Sequence, residues 1–181
     1  MMQQIHLSPE RTSAGTKLFF AVLLAAAGLC ACDQDKIYES NVRIPAEGWK
    51  RTEHARFEAE ITDTVSPCHI YINVRNNSRY KYMELWLFVG AYSPSGAVER
   101  DTVKIMLADH RGKWLGNGLG DKFDTRLLFR KNVRFPTAGK YVLEYEQASR
   151  DEPLIGIDDI GLRIEKIKVT ENTDVTHGTN E

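Results

Sequence analysis

Cysteine is scarce in this chain, with three among 181 residues, and two of them, Cys30 and Cys32, sit together near the N-terminus. Charge of one sign is missing as well: 24 Lys and Arg oppose 25 Asp and Glu, for a net −1. That balance excludes the basic stripe on which nucleic-acid binding rests. Long apolar runs are absent too. Leu18 to Leu29 (LFFAVLLAAAGL) is uninterrupted, but twelve residues fall short of the about 20 that a permanent transmembrane helix needs. Catalytic signatures are equally thin. No Gly-x-Ser-x-Gly occurs, and His54, His69, His110 and His177 are scattered, none at zinc spacing with Cys or another His. Gly116-Asn117-Gly118-Leu119-Gly120 lacks the following helix and lysine of a phosphate loop and reads as an ordinary loop. Asp121, Asp124, Asp158 and Asp159 match no calcium loop and read as solvated turn carboxylates. The expectation is therefore a protein without catalytic residues, metal or cofactor.

What is present begins at the N-terminus. Arg11 and Lys17 precede the apolar run, which ends at Leu29-Cys30-Ala31-Cys32, the pattern of a bacterial lipoprotein processing site. Cys32 is the expected lipidated residue because small Ala31 precedes it, whereas bulky Leu29 precedes Cys30. Residues 1–31 are then a removable signal peptide, and an acylated Cys32 anchors the mature chain without a transmembrane helix. Losing Arg11, Lys17 and Glu10 takes the totals of 24 and 25 to 22 and 24, a net of −2. With Cys30 removed and Cys32 lipidated, Cys68 has no partner for an intramolecular disulfide, and it reads as a small buried hydrophobe. Asp33 to Ser40 (DQDKIYES) reads as a polar tether reaching at most about 28 Å, with the anchor-and-tether region extending to residue 52. Such an anchor implies the cell envelope, with the outer membrane favoured over the inner.

From residue 53 to 169 the pattern is that of strands with one buried face. Phe57, Ala59 and Ile61 alternate with Glu58, Glu60 and Thr62; Ile70, Ile72 and Val74 alternate with His69, Tyr71, Asn73 and Arg75. Asn76-Asn77-Ser78 follows as turn chemistry and predicts a hairpin there. Met83 to Tyr92 is apolar at both parities, which predicts a central strand. Further strands are expected at 98–107, 125–129, 140–147 and 161–169. Seven to eight short strands with no amphipathic helix predict an all-β antiparallel sandwich, of immunoglobulin-like or jelly-roll type. Residues 170–181, with Val175 their one aliphatic side chain, predict a disordered tail.

Two sets of surface candidates emerge. Tyr71, Tyr80 and Tyr82 are expected to form a partner or sugar-stacking surface, while Trp86 and Phe88 are expected to line a second packed face. Asp63-Thr64-Val65 and Asp101-Thr102-Val103 resemble the Asp-Ser/Thr-aliphatic acceptor for O-glycosylation of exported proteins in Bacteroidetes, which makes Thr64 and Thr102 candidate modification sites.

Several stretches together are similar to one family. They are Phe57 to Thr64 running into Ser66-Pro67, then His69 to Asn76, Glu84 to Val89, Leu107-Ala108-Asp109 and Gly112 to Gly116. Gly118, Gly120-Asp121, Phe135-Pro136, Gln147-Ala148 with Arg150, and Gly156 to Lys166 complete the series, in order, between about Val42 and Lys168. On these residues the chain resembles the gliding-motility lipoprotein GldH family of Bacteroidetes, departing at Ser149, where an apolar residue is expected. The resemblance implies an envelope lipoprotein of the gliding machinery, a system entangled with type IX protein secretion and adhesin movement. Its implied partners are the membrane and other envelope proteins of that machinery, and it implies no enzymatic activity and no catalytic residue. The alternative reading is a surface carbohydrate-binding lipoprotein.

Overall fold

The computed structural model describes residues 35–167, so Cys32, the signal peptide and the tail at 170–181 lie outside the described residues. Nine strands make up the described part: β1 (Lys36–Arg43), β2 (Ala55–Ile61), β3 (Cys68–Asn77), β4 (Glu84–Tyr92), β5 (Val98–Met106), β6 (Asn117–Leu119), β7 (Lys122–Val133), β8 (Gly139–Gln147) and β9 (Ile157–Lys166). They form a five-stranded sheet of order β1-β9-β3-β7-β6 facing a four-stranded sheet of order β2-β8-β4-β5, antiparallel throughout.

The pairs β1 with β9, β2 with β8, β3 with β7 and β4 with β5 are those of one long hairpin whose tip is the β4–β5 turn. Rolling that hairpin on itself brings β9 beside β3 and β8 beside β4. This is the jelly roll, which settles the choice between the two expected sandwich types; β6 is an addition at one edge.

Alternation dictates the layers. On β2, Ala55, Phe57, Ala59 and Ile61 are buried while the residues between them are exposed, and on β3 Cys68, Ile70, Ile72 and Val74 are buried while His69, Tyr71 and Asn73 between them are half-buried. Ile160, Leu162 and Ile164 of β9 and Leu85, Leu87 and Val89 of β4 complete the interface between the sheets. At about 25 cal/mol per Å² of apolar surface removed from water, this interface is the main stabilising term. One end is plugged by Trp49, fully buried, whose backbone pairs with Leu154 and whose indole Nε1 donates to the Glu53 carbonyl at 2.6 Å. At that end Gly156 has φ +94°, and a Cβ there would lie 2.3 Å from the Tyr80 nitrogen, so only glycine fits.

The structure corrects three expectations about elements. Lys36–Arg43, read as tether, is an edge strand seven of whose residues register with β9; Tyr38, Ser40 and Val42 face inward, too weak an apolar signal to read as a strand. Asn76-Asn77-Ser78 does not turn a hairpin, because β3 and β4 belong to opposite sheets and the chain crosses between them. The glycine-rich 116–120 segment is not only loop: Asn117–Leu119 pairs with β7 across a turn at Gly120, whose φ is +69°.

Candidate partner surface

The outer face of the four-stranded sheet carries an aromatic strip. On β4 the outward residues are Trp86, Phe88 and Gly90, and their register partners on β5 are Lys104, Thr102 and Arg100. Trp86 is 38% and Phe88 47% exposed, and exposed Tyr82, Met83 and Met106 extend the strip towards the end at which β4 begins. A two-layer sandwich has no third layer to cover this face, which is why the expectation that Trp86 and Phe88 pack inside fails.

The strip is fixed by polar contacts. The Trp86 Nε1 donates to Glu84 Oε1 at 2.8 Å, and Lys104 Nζ lies 5.6 Å from the ring centroid while standing 3.8 Å from Glu84 Oε2. Below Phe88, the missing side chain of Gly90 leaves a groove of about 500 Å³ bordered by His54, Tyr92, Arg100 and Glu144. A rim of ion pairs runs alongside: Arg56 joins Glu144 and Glu58, and Lys140 Nζ lies 2.9 Å from Glu58. The bonds from Lys140 and then Arg56 pull the Glu58 carboxyl below its ordinary range. At the other end of the strip, Tyr82, Glu84, Trp86 and Arg150 line a second groove of about 480 Å³.

The outer face of the five-stranded sheet is different in kind. One cross-strand row reads Arg43, Asp159, Arg75, Asp124, alternating in sign; Arg75 lies 2.7 Å from Asp124 and 3.5 Å from Asp159. A second row reads Asn41, Gly161, Asn73, Arg126, and a third Glu39, Arg163, Tyr71, Leu128. Arg163, almost buried, lies 2.9 Å from Glu39 and 2.7 Å from Glu165. The expected turn carboxylates are thus largely paired: Asp124 and Asp159 to Arg75, and Asp158 to Lys122 at 3.0 Å.

The three candidate tyrosines do not converge. Tyr71 lies half-buried on the five-stranded face between His69 and Arg126, whose guanidinium is 5.7 Å from its ring. Burial first, and then a hydrogen bond to Glu165, push its phenol up. Tyr80 is buried, contrary to expectation, with its hydroxyl donating to the Glu84 carbonyl at 2.9 Å. Only Tyr82 belongs to the strip; its ring meets Tyr80 edge-on at 5.8 Å, and a hydrogen bond to Asp151 raises its phenol.

Thr102 is exposed on β5 opposite Phe88, whereas Thr64 is half-buried in the β2–β3 loop. Cys68 is buried and free, and burial pushes its thiol up. Sequence reasoning missed Trp86, Phe88 and Met106 as surface; the signal was their shared parity with Lys104 and Thr102 across the pair, which needs the register to be seen.

Rolled topology and a rigid apolar face set among ion pairs define a class, the jelly-roll domain that exposes aromatic contact surface on one sheet. The chain belongs to the GldH lipoprotein family, whose model matches residues 36–164. It is 34% identical over 143 residues to a gliding motility lipoprotein GldH homolog of Christiangramia forsetii, covering 75% of this chain and 87% of the relative. With gliding motility lipoprotein GldH of Flavobacterium johnsoniae it shares 30% identity over 152 residues, 80% of this chain and 94% of the relative. Among solved structures, a chain of the infectious bursal disease virus Gx strain overlaps 74% of this chain and 30% of its own at TM-score 0.32 and 14% identity, too low to carry an argument.

Proposed function

We propose that this chain is a non-catalytic envelope lipoprotein, anchored through acylated Cys32, that serves the gliding machinery and its associated secretion system by holding other envelope proteins against the Trp86–Phe88 strip. The observation that carries this reading is an exposed aromatic row pinned in one geometry by Glu84 and Lys104. Pre-set aromatic side chains dock at little entropic cost and are the usual anchors of binding energy. The polar side chains around the strip and on the opposite face are engaged in ion pairs, which supports an adhesive rather than a chemical role. The outer membrane is the favoured site.

The test is affinity capture from gently solubilised membranes with wild-type protein, Cys32→Ala, and Trp86→Ala/Phe88→Ala. Gliding or secretion components should co-purify with the first and be lost from the last, whose thermal midpoint stays within a few degrees because both rings are half-exposed. Equal capture by the aromatic variant removes the strip from the reading; unchanged motility and secretion on gene deletion removes the reading itself.

One observation favours a second reading, a sugar-binding surface: Tyr82 and Trp86 flank the same groove with Glu84 and Arg150 beside them. Binding on a glycan array that disappears in Trp86→Ala would support it, and a blank array would end it.

A further inference from the structure

The point where the chain enters the fold is joined to one tip of the molecule by an unbroken run of hydrogen bonds. Lys166 N donates to the Asp35 carbonyl at 2.8 Å, and Lys166 Nζ reaches Asp63 Oδ2 at 2.7 Å. Asp63 Oδ1 in turn accepts from the Val65 and Ser66 nitrogens, both at 2.9 Å. Finally, Arg134 Nε donates to the Val65 carbonyl at 3.2 Å. The β2–β3 loop is therefore held rigid, yet Val65 at its tip is 79% exposed. An aliphatic side chain presented this openly stands at the end of the fold that carries Arg134 and Lys131, where Lys166 and Lys36 are paired with Asp63 and Glu39, so that an apolar tip has two uncompensated cations near it. Neither Lys131 nor Arg134 has a carboxylate partner among the described residues.

Chain length says what this end faces. Only three residues separate Cys32 from Lys36, so the contour from the acylated cysteine to the first strand is at most about 14 Å. The ten residues of β3 span roughly 33 Å, and Leu119, 92% exposed, ends β6 opposite Lys122 at the far end of β7. So short a connection keeps the Lys36 end within about 14 Å of a bilayer to which Cys32 is fixed, whereas the far end comes near it only when the sandwich lies on its side.

We propose that this end of the sandwich is a membrane-seating surface: Val65 enters the headgroup layer and Lys131 and Arg134 contact anionic lipid headgroups. This inference rests on acylation of Cys32, as in the proposed function. Each cation near such a surface contributes about a fivefold change in the ratio of seated to unseated protein, and the buried Val65 methyls add to it.

The test uses the lipidated protein in vesicles of phosphatidylcholine with phosphatidylglycerol. A fluorophore is placed at Val65→Cys or Leu119→Cys, buried Cys68 being shielded, and a quencher is attached to lipid headgroups. Quenching should be strong at position 65 and weak at 119, and in Lys131→Glu/Arg134→Glu the ratio of seated to unseated protein should fall by at least about fivefold per site. Equal quenching at both positions, or quenching unmoved by the charge reversal, overturns the seating and leaves proximity through the tether alone. Intact mass separates the two readings: an acylated Cys32 with no seating fails only this inference, whereas a chain without acyl mass fails the anchor and the seating together.

Discussion

The Tyr145 hydroxyl is fully buried on β8 and has no hydrogen-bond partner among the described residues, and burial pushes its phenol far up. A polar group without a partner in the core opposes folding. Tyr145→Phe keeps the ring against Phe57, 5.0 Å away. Urea denaturation should therefore find the variant as stable as wild type or more so, by up to about 1 kcal/mol. Asp63 has the opposite character. The Lys166 ammonium first, then the Ser66 and Val65 groups, hold its carboxyl far below its ordinary value. Because the folded value is depressed, its contribution is complete above the usual carboxylate range and is lost as pH falls towards the folded value. Asp63→Asn should flatten the acid limb of a stability-against-pH curve below about pH 4. A limb identical to wild type would show that this network does not set acid sensitivity. Which residues alternate was legible at this scale, since parity alone buries Phe57, Ile61 and Ile72. Tyr80 was not, because its burial depends on the Glu84 carbonyl receiving its hydroxyl, a tertiary contact.

At the scale of elements, β1 is the least self-evident strand, and one arginine clamps it. Arg163 on β9 is almost buried and ties Glu39 of β1 to Glu165. Removing this cation leaves Glu39 with Lys36 and Arg126 and Glu165 with the Tyr71 hydroxyl, but takes two charge-assisted hydrogen bonds from a nearly buried site, so Arg163→Ala should cost about 2 kcal/mol. Arg75→Ala breaks its pairs with Asp124 and Asp159 at an exposed position, and should cost less than about 1 kcal/mol. Equal losses in parallel thermal melts would contradict this ranking. The strands from β2 to β5 and β7 to β9 were readable because their inward sides are aliphatic or aromatic. β1 offers Tyr38, Ser40 and Val42, and β6 has three exposed residues, so neither carries enough contrast between faces to register as a period of two. Turn chemistry at Asn76-Asn77-Ser78 was read correctly as a break, but no local rule says to which sheet the next strand goes.

For the whole molecule, the two sheet faces differ in kind, one with an exposed aromatic strip and the other laced with ion pairs, and under the two proposals the strip meets partners and the Val65 end meets the bilayer. That division bears on glycosylation. A sugar on Thr64 would stand beside Val65 and hold it off the headgroups, and one on Thr102 would stand opposite Phe88 and cover the strip. Intact mass of the exported protein should therefore show no glycan at either position; added mass lost in Thr102→Ala would contradict docking on the strip, and added mass lost in Thr64→Ala would contradict membrane seating. Sequence reading located both threonines but could not place them, because a three-residue motif does not reveal which side of a sheet or which end of a sandwich it occupies.

The rolled hairpin also governs when the protein can exist as a folded object. β9, the last strand among the described residues, lies between β1 and β3 inside the five-stranded sheet, while β1, the first, has no other neighbour in that sheet. Apart from the β4–β5 and β6–β7 hairpins, the pairings join residues far apart in the chain, the kind of topology that folds slowly. A chain still missing residues 157–166 cannot close. If the chain is exported as proposed, its two sheets close only after residues 157–166 have crossed the membrane, and translocation precedes folding because of where one strand lies.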